Sequence, residues 1–242
     1  MKKLSLILLA ILTVALIGCK KDDDSSTIKL KEGSKTLHHN GTYQIEAESE
    51  NVITYTSENN YIAEVTNYGF VYANYVGATN IVLNDGESTE KFKVTVAAES
   101  NLYTLPNIKF GETRSTIISR FGNPVYEDED GAAFEKETQT TIGFIVMFDD
   151  TNKVIAYSMI VKPGYGNELV NVFIPERYVY LGESNNYQFY MDAFDVNEAD
   201  VLVGLAQESG YWMAMYADRD YFPYAKNPKL DAMQNLVKKL VK

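Results

Sequence analysis

The chain has 242 residues, with 22 Lys and Arg against 33 Asp and Glu and a formal net charge of −11. So acidic a surface repels nucleic-acid phosphates and anionic lipid headgroups, which excludes both as direct partners. A hydrophobic content of 45%, with 18 Tyr and 11 Phe, describes a folded, aromatic-rich and strand-rich protein.

The chain opens with Lys2 and Lys3, then an apolar run from Leu4 to Ile17 broken by Ser5 and Thr13. That is an export leader, too short for a membrane span of about 20 apolar residues. It ends on Leu16-Ile17-Gly18-Cys19, and Cys19 is the single cysteine, so no disulfide competes for it. The stretch resembles the lipobox of bacterial lipoproteins. The resemblance implies cleavage after Gly18, a diacylglycerol on the Cys19 thiol and an acylated amine. Two or more acyl chains hold stably where one is marginal. Beyond this covalent lipid, no cofactor and no metal is expected. Loss of residues 1–18 with Lys2 and Lys3 leaves 224 residues and takes the net charge from −11 to −13. The remainder has no second apolar run long enough to span. Residues 19–26 form a lipidated tether, too polar to bury and too short to fold. Lys21-Asp22-Asp23 close behind the cysteine resembles the export tag of surface lipoproteins in one Gram-negative phylum. It implies a lipid-anchored place in the outer membrane facing the cell exterior; a spacer on a periplasm-facing lipoprotein is the alternative.

From Thr27 to Ala97 the pattern has period two. Tyr43, Ile45 and Ala47 alternate with Gln44 and Glu46, and Phe92, Val94 and Val96 with Lys91, Lys93 and Thr95, which predicts half-buried strands. Turn residues at Asn40-Gly41, Asn59-Asn60, Tyr68-Gly69, Val76-Gly77 and Asp85-Gly86 punctuate six or seven short strands, the spacing of a sandwich. Gly41-Thr42-Tyr43, Tyr55 to Asn59, Ile62 to Val65, Gly69 to Ala73 and Gly77 to Ile81 together resemble the group 2 bacterial immunoglobulin-like (BIG2) family. That resemblance implies an immunoglobulin-like domain over 27–97, used in adhesins and as a spacer, with Tyr55 as the aromatic core anchor. His38 and His39 are the only histidines; strand neighbours point to opposite faces, so they read as turn residues rather than ligands of one metal. Tyr61, Tyr68, Phe70, Tyr72 and Tyr75 read as core and strand surface, with a sugar-stacking platform as the alternative.

After a linker at 98–101, helices enter. Thr113 predicts an N-cap, Ile117, Ile118 and Phe121 one apolar face, Gly122 a C-terminal stop and Pro124 a break. Ile142–Phe148 and Val154–Val161, apolar on both faces, predict a covered central hairpin turning at Asp149 to Asn152. A second round follows: a short helix over Asn167–Ile174, then strands at Tyr187–Phe194, Val201–Ala206 and Tyr211–Ala217. The repeated helix-then-strands order hints at internal duplication. Asn227-Pro228 opens a last helix with Leu230, Met233, Leu236, Val237, Leu240 and Val241 at helical spacing, read as a packing helix. Gly111 to Arg114, Ile117-Ile118 and Phe121 to Pro124 resemble, over about a dozen residues, small envelope lipoproteins related to outer-membrane assembly factors and β-lactamase-inhibitor protein. The resemblance implies an α+β domain over 102–242, an antiparallel sheet with helices on one face, that works by binding proteins.

Chemistry is sparse. No Gly-x-Ser-x-Gly exists, Cys19 is committed to lipid and both histidines lie in the immunoglobulin-like part, so no catalytic residue is named and no enzyme is expected. Glu127 to Gly131 with Glu137 partly copies a calcium loop, but Tyr126 stands at its first position. Gly164-x-Gly166 lacks the third glycine of a dinucleotide loop. The expectation is a non-enzymatic adhesion or protein-interaction module. Its alternative is a glycan-binding accessory lipoprotein of polysaccharide uptake, with Tyr211, Trp212 and Tyr216 as an exposed platform.

Overall fold

The computed structural model describes residues 27–184, 186–221 and 228–241. Cys19, the lipobox residues Leu16, Ile17 and Gly18, the tether and Asn227 lie outside the described residues. The chain is mostly β-sheet.

Nine strands fill residues 27–97: β1 (Lys29–Leu30), β2 (Ser34–His38), β3 (Thr42–Gln44), β4 (Ala47–Glu48), β5 (Thr54–Ser57), β6 (Ala63–Val65), β7 (Phe70–Ala73), β8 (Gly77–Asn84) and β9 (Thr89–Ala97). They form a four-stranded sheet in the order β2-β9-β8-β5, a three-stranded sheet β3-β7-β6, and a short β1-β4 ladder. The alternation seen in the sequence decides which side faces in. Ile81, Leu83, Phe92, Val94 and Val96 from one sheet meet Ala63, Val71 and Ala73 from the other, all out of water, and each large side chain so buried contributes about 1.5–3 kcal/mol. Tyr55 packs at the edge of this core. Its ring lies against Gly69, where a Cβ would sit 2.8 Å from the ring and where φ is +78°, so glycine is required twice over. Asp85 ties Thr27, just ahead of β1, to this sandwich. Its carboxylate accepts from Ser49 Oγ at 2.6 Å, from the Thr27 hydroxyl, and from the Ser88 and Glu87 amides at 2.7 and 3.0 Å.

From residue 102 onward a second core organises an eight-stranded antiparallel sheet. Helix α1 (Arg114–Phe121) precedes β10 (Tyr126–Glu127), β11 (Gly131–Glu135), β12 (Thr141–Phe148) and β13 (Val154–Val161). Helix α2 (Gly166–Glu168), continued as one π-helical turn over Leu169–Phe173, precedes β14 (Val179–Ser184), β15 (Tyr187–Met191), β16 (Val201–Glu208) and β17 (Tyr211–Asp218). The order β10-β11-β12-β13-β17-β16-β15-β14 is palindromic. The two central hairpins meet where β13 pairs β17, from Ala156↔Ala217 to Val161↔Trp212. As the sequence predicts, Thr113 caps α1 by accepting from the Thr116 amide, and Gly122 ends it at φ +88° with its N–H on Ile118 O.

The expectation of helices on one face is corrected. One face of the sheet is covered by Ile117 of α1, by Leu169, Phe173 and Ile174, and by Leu102 and Ile108 of the incoming chain. The other is covered by helix α3 (Pro228–Leu240), whose Met233, Leu236 and Val237 are fully buried on Ile145, Met147, Met213 and Met215. The physical reason is in the strands: every residue of β13 is buried, and an uncovered face would leave large side chains in water, Ile155 and Ile160 on the side of α3 and Tyr157, Met159 and Val161 on the other. Three strands of this sheet escaped the sequence reading: β10 has two residues, β11 is short and alanine-rich, and β14 sits at the sheet edge.

Hydrogen bonding, first from Ser49 and then from Thr27, holds the Asp85 carboxyl well below the usual carboxylate range. A carboxyl depressed in the folded state stabilises above its unfolded pKa, near 4, and loses that contribution as pH falls toward the folded value. Asp85→Asn therefore lowers the thermal midpoint at pH 7, and its deficit against the parent narrows below about pH 4. A pH series of melting curves checks this; a deficit unchanged at pH 2 would contradict it.

Candidate functional site

The most constructed polar site joins the two cores. Strand β9 leaves the sandwich at Ala97, and the Glu99 and Ser100 amides donate to the Glu176 carboxylate at 2.7 and 3.2 Å. Glu176 is only 2% exposed. Its backbone oxygen accepts from Val76 N of the sandwich at 2.9 Å, and its carboxylate pairs with Arg177. Arg177 in turn donates to Ser100 O and Phe173 O, both at 2.8 Å, with its guanidinium 4.0 Å over the Phe173 ring. Ser100 Oγ donates to Glu168 at 2.6 Å. A carboxylate this deep is tolerable only because each oxygen is bonded and a cation adjoins it.

Beside this clamp, the sandwich offers an aromatic shelf. Tyr61 stacks on Tyr75 at 4.5 Å, His39 tilts against Tyr75 at 5.6 Å, and Phe194 packs on Tyr61 at 5.6 Å. The Tyr61 hydroxyl donates to Arg177 O at 2.6 Å, and burial pushes that phenol far above its ordinary pKa. Of the five aromatics singled out in the sequence, Tyr61 and Tyr75 thus belong to the junction. Phe70 and Tyr72 pair edge to face at 5.1 Å, and Tyr68 stands in solvent. His38 and His39 are apart, bonded to Ala97 O and Asn74 O respectively.

The platform expected from Tyr211, Trp212 and Tyr216 does not form. Tyr216 is 1% exposed, stacked on Tyr157 at 5.1 Å with its hydroxyl 2.7 Å from that of Tyr103. Tyr211 and Trp212 are strand neighbours and pack on opposite faces of the sheet. Trp212 lies on Gly166, where any Cβ would strike the indole, and that close approach accounts for Gly166; Gly164 has open space beside it. The calcium-loop match is likewise filled from within. Arg114 donates to Glu127 Oε1 at 2.8 Å, to Asp128 O at 2.9 Å, to Glu129 O at 2.7 Å and to Asn152 Oδ1 at 2.8 Å. Asp128 turns back on the amides of Asp130 and Gly131, and Glu137 pairs with Lys162 beyond the far end of β11. Among the described residues no group of three His, Cys, Asp or Glu is placed to hold a metal, and no helix is long and apolar enough to cross a membrane.

A further exposed feature is the sheet edge β14, which leaves the junction directly after Arg177. Tyr180 is 52% and Leu181 43% exposed, and the ladder to β15 slips at Leu181. Neither this edge nor Glu176 was singled out by sequence reasoning. An acid beside an arginine reads as a surface pair, and nothing local tells that the sandwich lands on it.

No protein-family model matches the chain, and no curated protein does. Among solved structures it is similar to an intimin mutant of EHEC O157:H7, at 17% identity over 46% of this chain and 75% of that one, with a TM-score of 0.25. It is also similar to domains 4–9 of surface layer protein SbsC, at 14% identity over 79% and 26%, with a TM-score of 0.26. Human protocadherin-24 EC1-2 gives 13% identity over 74% and 87%, again with a TM-score of 0.26. Scores this low leave the reading of this chain to its own residues.

Trp212 is the only tryptophan, so its fluorescence reports the second core while far-ultraviolet circular dichroism reports both. Glu176→Gln removes one acceptor and costs about 1–3 kcal/mol in urea unfolding. Glu176→Ala separates the two optical transitions, which coincide in the parent.

Proposed function

We propose that this is a surface-exposed outer-membrane lipoprotein. Its immunoglobulin-like part, residues 27–97, is a BIG2-type stalk, and its α+β part, residues 102–242, presents a protein-binding surface. The palindromic sheet favours an internal duplication as the origin of the second part. One observation carries the reading: a buried carboxylate and an aromatic shelf fix the stalk against the second part. A fixed joint is what a module needs if it is to hold a surface at a set distance and angle from an anchor, since loosely joined domains otherwise reorient freely. Exposed Tyr180 and Leu181 on an edge strand fit recognition of an extended protein segment, in which unpaired backbone supplies affinity and side chains supply specificity. A non-enzymatic role follows from the chemistry present: both histidines serve backbone carbonyls in the stalk, and Cys19 is taken by lipid. The platform that the glycan alternative required is absent from Tyr211, Trp212 and Tyr216, so protein recognition is the reading retained.

Labelled fatty acid and cell fractionation test the anchor. The parent chain takes up label and sediments with outer membrane, and protease added to intact cells digests it. Cys19→Ala takes up none and appears in the soluble fraction. Membrane retention of that variant, or protection of the parent from external protease, would remove the anchor or the outward orientation respectively.

A further inference from the structure

The strand nearest the amino terminus of the sandwich's main sheet pairs with the strand that leaves it, and the two run parallel. β2 lies beside β9 in register from Ser34↔Lys93 to His38↔Ala97, and Lys93 N donates to Gly33 O at 3.0 Å just ahead of that ladder. Every other strand pair among the described residues is antiparallel. In a parallel pair, the amino end of one strand and the carboxyl end of the other lie at opposite ends of the ladder. A pull that enters β2 at Gly33 and leaves β9 at Ala97 therefore slides one strand along the other. All the ladder bonds take that load together. In an antiparallel pair the two load points would share one end, and the bonds would open one after another.

We propose that the β2–β9 ladder is a shear clamp, bearing tension between the amino-terminal anchor and whatever grips the second part. The inference rests on the lipid-anchor reading, which sets where the pull enters. Upstream of the clamp, Thr27 is bonded to Asp85 and Ile28 is buried, so the segment ahead of β2 cannot be lifted from its seat without first breaking these contacts. Beneath it, Val94 and Val96 are out of water and Leu37 packs on the same core, which shields the ladder from one side and makes sliding expose apolar surface. Downstream, Glu99 and Ser100 are held by Glu176, so the exit direction is fixed.

The test is forced unfolding of the soluble chain beginning at Lys20. With Cys19 gone it has no cysteine, so one introduced thiol gives a unique handle opposite a tag at the amino terminus. Asn101→Cys, just beyond β9, loads the ladder in shear. Glu87→Cys, in the turn before β9, puts both handles at one end and peels it. Both positions are exposed, and both variants keep the parent's urea midpoint, so a difference in force reports direction alone. At one loading rate the shear geometry ruptures at a force at least about twofold higher, because forced unfolding reads the barrier along the pulled path. Equal forces, or a higher force on peeling, overturn the clamp even where Cys19 takes up fatty acid. Absence of fatty-acid uptake with a strong ladder instead removes the anchor and the load it was to carry.

Discussion

A carboxylate almost wholly out of water sets the relation between the two cores. Removing Glu176 from solvent carries a desolvation cost of several kcal/mol, which its partners offset only when all are present. Two of those partners, the Glu99 and Ser100 amides, belong to the chain just leaving the sandwich, and Arg177 belongs to the second core. The junction is therefore close to all-or-none: rotation of the sandwich would strand a buried charge. Tyr61 adds the same constraint from the other side, since its hydroxyl is satisfied by Arg177 O and its ring by Tyr75 and Phe194. A short covalent linker alone would allow reorientation; these contacts withdraw that freedom.

The second constraint is the two-sided burial of the large sheet. Its central strands carry apolar residues at nearly every position, so each face demands a cover. Helix α1, the α2 turn and the incoming chain supply one, and α3 supplies the other. With both faces used, surface left for a partner lies at the loops and at the edges, where β14 is the longer exposed strand and β10 has two residues. The slip at Leu181 and the carboxylate of Glu183 blunt β14 against indiscriminate pairing, leaving Tyr180 and Leu181 as the apolar contacts that a matched partner would cover.

The sequence made local chemistry legible and long-range adjacency illegible. Period-two alternation in 89–97 placed Phe92, Val94 and Val96 inside, and Thr113 and Gly122 bracketed α1, because both signals depend on neighbours a few residues away. The double-sided hydrophobicity of 142–148 and 154–161 required cover without saying that α3 provides it. Tyr216 was misjudged for the same reason, since an aromatic residue on a strand looks the same whether it faces solvent or core; Tyr211 and Trp212 are half-buried on opposite faces and share no platform. Residues 127–131 resembled a cation site because their carboxylates are adjacent, while Arg114, the cation that occupies the loop, is on a different element. Glu176 carried no local mark at all.

Strength and orientation are divided between different bonds. Tension passing from the sandwich to the second part travels through the covalent chain at 98–101, so the Glu176 clamp need not withstand it; the clamp sets the angle at which it arrives. The ladder between β2 and β9 lies directly in the path, because the entering and leaving strands are hydrogen-bonded to one another. A fixed exit angle keeps the pull near the strand axis, and that is the direction in which a parallel ladder resists as a unit. If the junction were loose, the same pull could swing to the side and open the ladder bond by bond. The buried carboxylate and the parallel pairing thus depend on each other: one holds the direction that makes the other strong.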